Sequence, residues 1–203
     1  QHYLDDFVKI SIREQKDIGK FDEKIAARLS VVCDPVMLLR ADAWNNMMEH
    51  PSEKPYLICY FLHKKLFCKE FAIAQKIAKE RGLELKVINA RFGPNSFRKG
   101  TIFDAGPGEF VNLIANASYV CTDSFHGTLF SLVFHKQFSS LDTKQNLHDT
   151  RKKGLLESVG ATAAYQNVED PLKICSTLDY KEIDCRMEEI RKSAAKFLEI
   201  LDE

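Results

Sequence analysis

The 203-residue chain has no CxxC pair, no excess of either charge, and no apolar run near the ~20 residues that cross a bilayer. Each absence removes a class of function. Lys+Arg and Asp+Glu both total 29, so the formal net charge is zero. Attachment to nucleic acid or to an anionic membrane by bulk charge is thereby excluded, although a local cationic pocket is not. Without an apolar span, no transmembrane segment is expected. No repeat, low-complexity tract or Pro/Gly-rich linker breaks the chain. No secretory leader is readable either, and the chain opens on Gln1 without a Met. The expectation is a soluble, cytoplasmic α/β domain that forms part of a longer protein.

The six cysteines, Cys33, Cys59, Cys68, Cys121, Cys175 and Cys185, stand singly, and three of them fall in apolar runs that read as strands. Reduced, mostly buried thiols are expected, not disulfides or zinc ligands. Neither Cys33 nor Cys121 has an activating arrangement around it. No metal-ligand set is apparent and no cofactor is expected.

What is present is ordinary globular material: 45% hydrophobic and 29% charged residues. The clearest helix spans 66–81, where Phe67, Phe71, Ala74, Ile77 and Ala78 repeat at helical spacing and Gly82 supplies a stop. Before it, Tyr56 to Phe61 is a continuous apolar run, as in a strand buried on both faces. After it, Leu85 to Ile88 reads as a second strand, completing a βαβ unit with a parallel pair. The pattern repeats. Pro107 suits a first helical position, with Glu109 in the first turn and Phe110, Leu113, Ile114 and Ala117 on the apolar stripe. Tyr119 to Cys121, a helix from Gly127 to Phe134, and Phe138 to Leu141 follow. This rhythm predicts a Rossmann-like, doubly wound, mainly parallel sheet. Val8 to Ile12 and Leu29 to Cys33 are two further strands, 181–201 is a closing helix, and 91–108 is one long loop.

In an open parallel sheet, ligands bind beyond the carboxyl ends of the strands. There lies Thr122-Asp123-Ser124-Phe125-His126-Gly127-Thr128, running from a strand end into a helix. A helix N-terminus offers unpaired N–H donors and the positive end of the dipole. Gly127 would let a ligand approach, Thr122, Ser124 and Thr128 bring hydroxyls, and His126 brings a titratable group. Spacing alone leaves a second reading open, with Asp123 or Ser124 as the helix cap and His126 as a first-turn surface residue. Arg13 and Glu14 close a strand in the same way, as a ligand-binding pair or a surface ion pair. Asp34, before Pro35, ends another strand. Arg151 opens a helix, where a cation opposes the dipole, which points to an anionic partner or to a local pair with Asp149.

Taken together, these blocks resemble the polysaccharide pyruvyl transferase family. The resemblance rests on Gly106-Pro107-Gly108-Glu109-Phe110-Val111, on the Thr122–Thr128 turn, on Ile10-Ser11-Ile12-Arg13-Glu14, and on Cys33-Asp34-Pro35 followed by Trp44. Arg151 with Leu155, Leu156 and Gly160 extends it, so that it covers about residues 7–160. It implies the C-terminal half of a GT-B-like enzyme. Residues 1–203 would form one Rossmann-like domain, 181–203 its closing helix, and the N-terminal domain would be absent. It implies transfer of pyruvate from phosphoenolpyruvate, the donor substrate, onto two sugar hydroxyls of a polysaccharide or its lipid-linked precursor as a ketal. His126 and Arg13 would be catalytic, with Arg13 on the donor anion. Thr122, Asp123, Ser124, Phe125, Gly127, Thr128, Glu109 and Arg151 would line the substrate site. Ser124 stands where some branches carry an arginine. Two other readings stay open: a GT-B glycosyltransferase using a sugar nucleotide, and a non-catalytic sugar- or nucleotide-binding domain.

Overall fold

The computed structural model of the protein describes residues 2–47, 54–63, 67–88, 100–142, 151–169 and 177–199. The chain divides into two compact units, Gln1–Leu39 with Lys181–Glu203, and Arg40–Tyr180.

In the first unit, β1 (Ile10–Ile12) and β2 (Leu29–Val31) pair in parallel, Ile10 opposite Leu29 and Ile12 opposite Val31. Helix α1 (Glu23–Ala26) lies between them, capped by Asp22, whose side chain accepts a hydrogen bond from the Ile25 N–H at 2.9 Å. Both strands are shorter than their apolar runs. Val8 and Cys33 fall outside the paired register, and Val8 is exposed. A three-residue ladder has no partner groups left to extend pairing to them.

The second unit holds the large sheet. Its strands are β3 (Tyr56–Tyr60), β4 (Glu84–Ile88), β5 (Thr101–Ile102), β6 (Tyr119–Thr122), β7 (Phe138–Asp142) and β8 (Tyr165–Asn167). The spatial order is β5-β4-β3-β6-β7-β8, and every pair is parallel. This is the Rossmann order, with two halves wound outward from a central pair, β3 and β6. Helices α2 (Phe67–Arg81), α3 (Pro107–Ala115), α4 (Phe125–Val133) and α5 (Arg151–Ser158) flank it. α2 packs on β3 and β4, α3 on α4, and α4 on β6, β7 and α5. The rhythm of strands read from the sequence is therefore the observed one.

Two strands were not expected. β5 lies inside the stretch read as a long loop, of which 91–99 falls outside the described residues, and β8 has the sequence Tyr165-Gln166-Asn167. Both sit at sheet edges. Edge strands are short and need no apolar run on both faces, so the hydrophobic pattern does not announce them. Helix α4 also begins at Phe125, two residues before Gly127, because Ser124 takes the cap.

The central strands are apolar and buried along their length. Cys59 and Cys121 sit opposite each other in the β3–β6 register as free, buried thiols, pushed well up by burial. Cys33 is half-buried, whereas Cys68 and Cys185 are exposed, so the expectation of mostly buried thiols fails for those two. Cys175 lies outside the described residues. An aromatic cluster of Trp44, Phe110, Phe130 and Phe134 fills the space beside α3 and α4.

Helix α6 (Tyr180–Glu199) belongs, from Lys181 on, to the first unit. Ile183, Met187 and Ala194 carry its buried stripe, at the spacing read from the sequence. Among the described residues, no helix is long and apolar enough to cross a membrane.

Candidate functional site

At the β3–β6 pair the strand order reverses, and open parallel sheets bind ligands beyond the carboxyl ends of the strands at such a point. The turn between β6 and α4 lies there, and its hydroxyls are bonded within the fold. Thr122 is wholly buried. Its Oγ1 donates to the Tyr60 carbonyl at 2.6 Å and accepts from the Ser124 N–H at 3.0 Å, tying the two strand ends together. Ser124 Oγ accepts from the Gly127 N–H at 3.3 Å, the N-cap of α4. Thr128 Oγ1 donates to the Ser124 carbonyl at 3.0 Å and meets Ser140 Oγ at 2.8 Å. Gly127 is where the helix presses on β6. A Cβ there would stand 3.0 Å from Thr122 Cγ2 and inside van der Waals range of Thr122 Oγ1. The absent side chain admits Thr122, a neighbour within the fold.

The outward part of the turn is Phe125, half-buried, and His126, exposed. Their rings meet edge-on with centroids 5.6 Å apart. The Arg151 guanidinium lies 5.5 Å from the Phe125 centroid, within cation–π range. Arg151 is the first residue of α5, so the fold gathers Arg151, Phe125 and His126 at one place although 25 positions separate Arg151 from His126. Glu109 is exposed on the first turn of α3, a different element. Asp149, the alternative partner for Arg151, lies outside the described residues.

Behind this surface Asp123 is buried and fully engaged. Its Oδ1 accepts from the Leu62 N–H at 2.7 Å and its Oδ2 from the His63 N–H at 2.8 Å, bridging the segment that leaves β3. Oδ2 also stands 2.7 Å from His63 Nδ1. Below it, Glu70 of α2 is completely buried, and neither of its carboxyl oxygens has a hydrogen-bond partner among the described residues. Burial, and then the charge of Asp123, pushes its carboxyl up to about 8. Ligand atoms of His63, Glu70 and Asp123 all lie within 4.8 Å of one another. The buried Lys152 of α5 donates its Nζ to the carbonyls of Asp123 at 2.8 Å and Leu141 at 2.5 Å, and stands 3.7 Å from Asp142. One ammonium thus ties together the ends of β6 and β7.

Arg13 belongs to the first unit, directly after β1. Its Nη1 lies 2.6 Å from Asp34 Oδ2, with the Arg13 side chain 53% exposed and Asp34 buried. Asp34 in turn caps the short 3-10 turn Pro35–Leu38, accepting from the Val36 N–H at 3.1 Å. The alternative of a surface pair between Arg13 and Glu14 is not what forms; Glu14 pairs with Lys16 at 2.9 Å. Adjacent residues in an extended chain point to opposite sides, whereas Asp34 follows the strand parallel to β1.

His63, Glu70 and Lys152 escaped the sequence reading. Glu70 had a signal: it precedes Ala74 by one turn on the apolar stripe of α2, where a charge needs a reason. Lys152 hides in the basic run Arg151-Lys152-Lys153, and His63 carries no local mark. A protein-family model described as polysaccharide pyruvyl transferase matches residues 1–145 of the 203-residue chain. No curated protein matches it. The matched stretch contains Arg13, His63, Glu70, Glu109 and the whole 122–128 turn, and stops before Arg151. The chain belongs to the polysaccharide pyruvyl transferase family.

Proposed function

We propose that the protein transfers a pyruvyl group from phosphoenolpyruvate to two hydroxyls of a sugar in a polysaccharide or its lipid-linked precursor, forming a ketal. In a chain of this family, one observation carries the reading. An exposed histidine, His126, stands on the first turn of a helix at the sheet's switch point, beside the Arg151–Phe125 pair.

The chemistry asks for such a place. The donor carries a carboxylate and a phosphate, which need cations and a helix N-terminus to hold them. Its methylene carbon gains a proton and becomes a methyl group, the adjacent carbon forms bonds to two sugar oxygens, and phosphate leaves. Both hydroxyls lose their protons, one ending on the methylene carbon and one leaving with phosphate. His126 accepts a hydroxyl proton and delivers one to the methylene carbon. Arg151 draws the donor anion toward the positive end of α4, and Phe125 offers a face to the sugar. Arg13 grips a donor anion with the part of its guanidinium that Asp34 leaves exposed, and Glu109 contributes from α3. Thr122, Asp123, Ser124, Gly127 and Thr128 act by fixing the turn that presents His126. The donor is a substrate, and no organic cofactor takes part.

The reading is tested by incubating the protein with phosphoenolpyruvate and mixed saccharide acceptors. Phosphate release and the acceptor's mass are followed together. Acceptor-dependent phosphate release with the mass gain of a pyruvyl ketal is expected. Glycosyl transfer from a sugar nucleotide, with phosphoenolpyruvate inert, would contradict it.

A further inference from the structure

We infer that His63, Glu70 and Asp123 form a binding site for one divalent first-row transition cation with the preferences of Mn2+. This goes beyond the transferase reading and does not rest on it.

Glu70 raises the question. A carboxylate taken out of water without a hydrogen bond is costly unless a proton or a cation sits on it. Glu70 is 0% exposed and both its oxygens are unpartnered among the described residues, while a second buried carboxylate, Asp123, lies beside it. The charge of Lys152 draws the Glu70 carboxyl down, but less than burial and Asp123 push it up, and the Lys152 Nζ donates to two carbonyl oxygens. A proton on Glu70, shared toward Asp123, would neutralise it but make no use of the imidazole. A cation uses all three groups.

The geometry suits coordination. Ligand atoms from the three residues fall within 4.8 Å of one another, so a small side-chain adjustment places them on one ion. Asp123 is preorganised, because two backbone N–H groups hold its oxygens, and Oδ1 keeps a further lone pair. His63 Nδ1 and Asp123 Oδ2 are 2.7 Å apart. The two ligand atoms are therefore close enough to share one ion. An imidazole beside two carboxylates favours Mn2+ or its neighbours over Ca2+ and Mg2+. The His63 side chain is 46% exposed, so this side of the ion stays open to water or an anionic oxygen. The three residues come from the end of β3, from α2 and from the end of β6, and no sequence spacing reveals them.

The test uses chelator-treated protein titrated with Mn2+ alone, read by calorimetry and by electron paramagnetic resonance. One Mn2+ per chain is expected, with the nitrogen coupling of a bound imidazole. His63→Gln, at a half-exposed position, should stay folded, lose that coupling and bind at least ~10-fold more weakly. Glu70→Gln, which keeps the side chain's shape, should weaken binding at least as much. Absence of bound Mn2+, bound Mn2+ without nitrogen coupling, or unchanged affinity in both variants would overturn the site.

Discussion

Arg13 Nη1 lies 2.6 Å from Asp34 Oδ2, so two residues that follow the paired strands β1 and β2 are held together by one ion pair. The pair is asymmetric: Asp34 is buried and fixed by its turn, while Arg13 remains half in solvent. Asp34 therefore aims Arg13, and the guanidinium keeps donors to spare.

Arg13→Lys keeps the charge and loses the fork. Roughly 10-fold weaker donor binding is expected, from the lost two-point grip on an anion, with little change in melting temperature. Asp34→Asn should act in the same direction, because the amide oxygen still caps the turn but no longer carries the charge that orients Arg13. Titration of phosphoenolpyruvate against both variants checks this. Normal binding in Arg13→Lys would reduce the pair to a surface contact.

Gly127→Ala tests the turn as a packed object. The added methyl meets Thr122, whose Oγ1 is held by the Tyr60 carbonyl and the Ser124 N–H, so it has nowhere to move. Overpacking of this kind costs about 1–3 kcal/mol, or several degrees in melting temperature for a chain of this size. Thermal unfolding measures it.

Lys152→Met removes a buried ammonium, taking a donor from the Asp123 and Leu141 carbonyls and a counter-charge from Asp142. Breaking a buried, hydrogen-bonded charge group costs about 3–5 kcal/mol. A strong drop in the denaturant midpoint is expected. A stability like that of the unchanged protein would show that water serves these oxygens as well.

The sequence was most legible where burial imposes a period. Tyr56 to Tyr60, α2, the β6–α4 turn and α6 were readable because apolar stripes and continuous runs mark them. The edge strands β5 and β8 were not, because two or three residues with one solvent-facing side need no such pattern. In the candidate site the motif located His126 and the turn, but not what each polar group does. Ser124 and Thr128 read as ligand hydroxyls in one dimension, and the fold adds that one caps α4 and the other ties it to β7. Partners drawn from distant positions, such as His63 and Glu70 beside Asp123 or Arg151 on Phe125, depend on topology, and no local spacing encodes them.

His126→Asn is the most direct measurement. The variant keeps a polar first-turn residue and removes the group assigned to proton transfer. In the acceptor-dependent assay with phosphoenolpyruvate, turnover should fall by roughly 10²-fold or more, the usual scale for a lost acid/base. Circular dichroism and thermal unfolding should be nearly unchanged, since the side chain is exposed and the cap belongs to Ser124. Retention of more than about a tenth of the original turnover, on the same scale, would contradict the role given to His126.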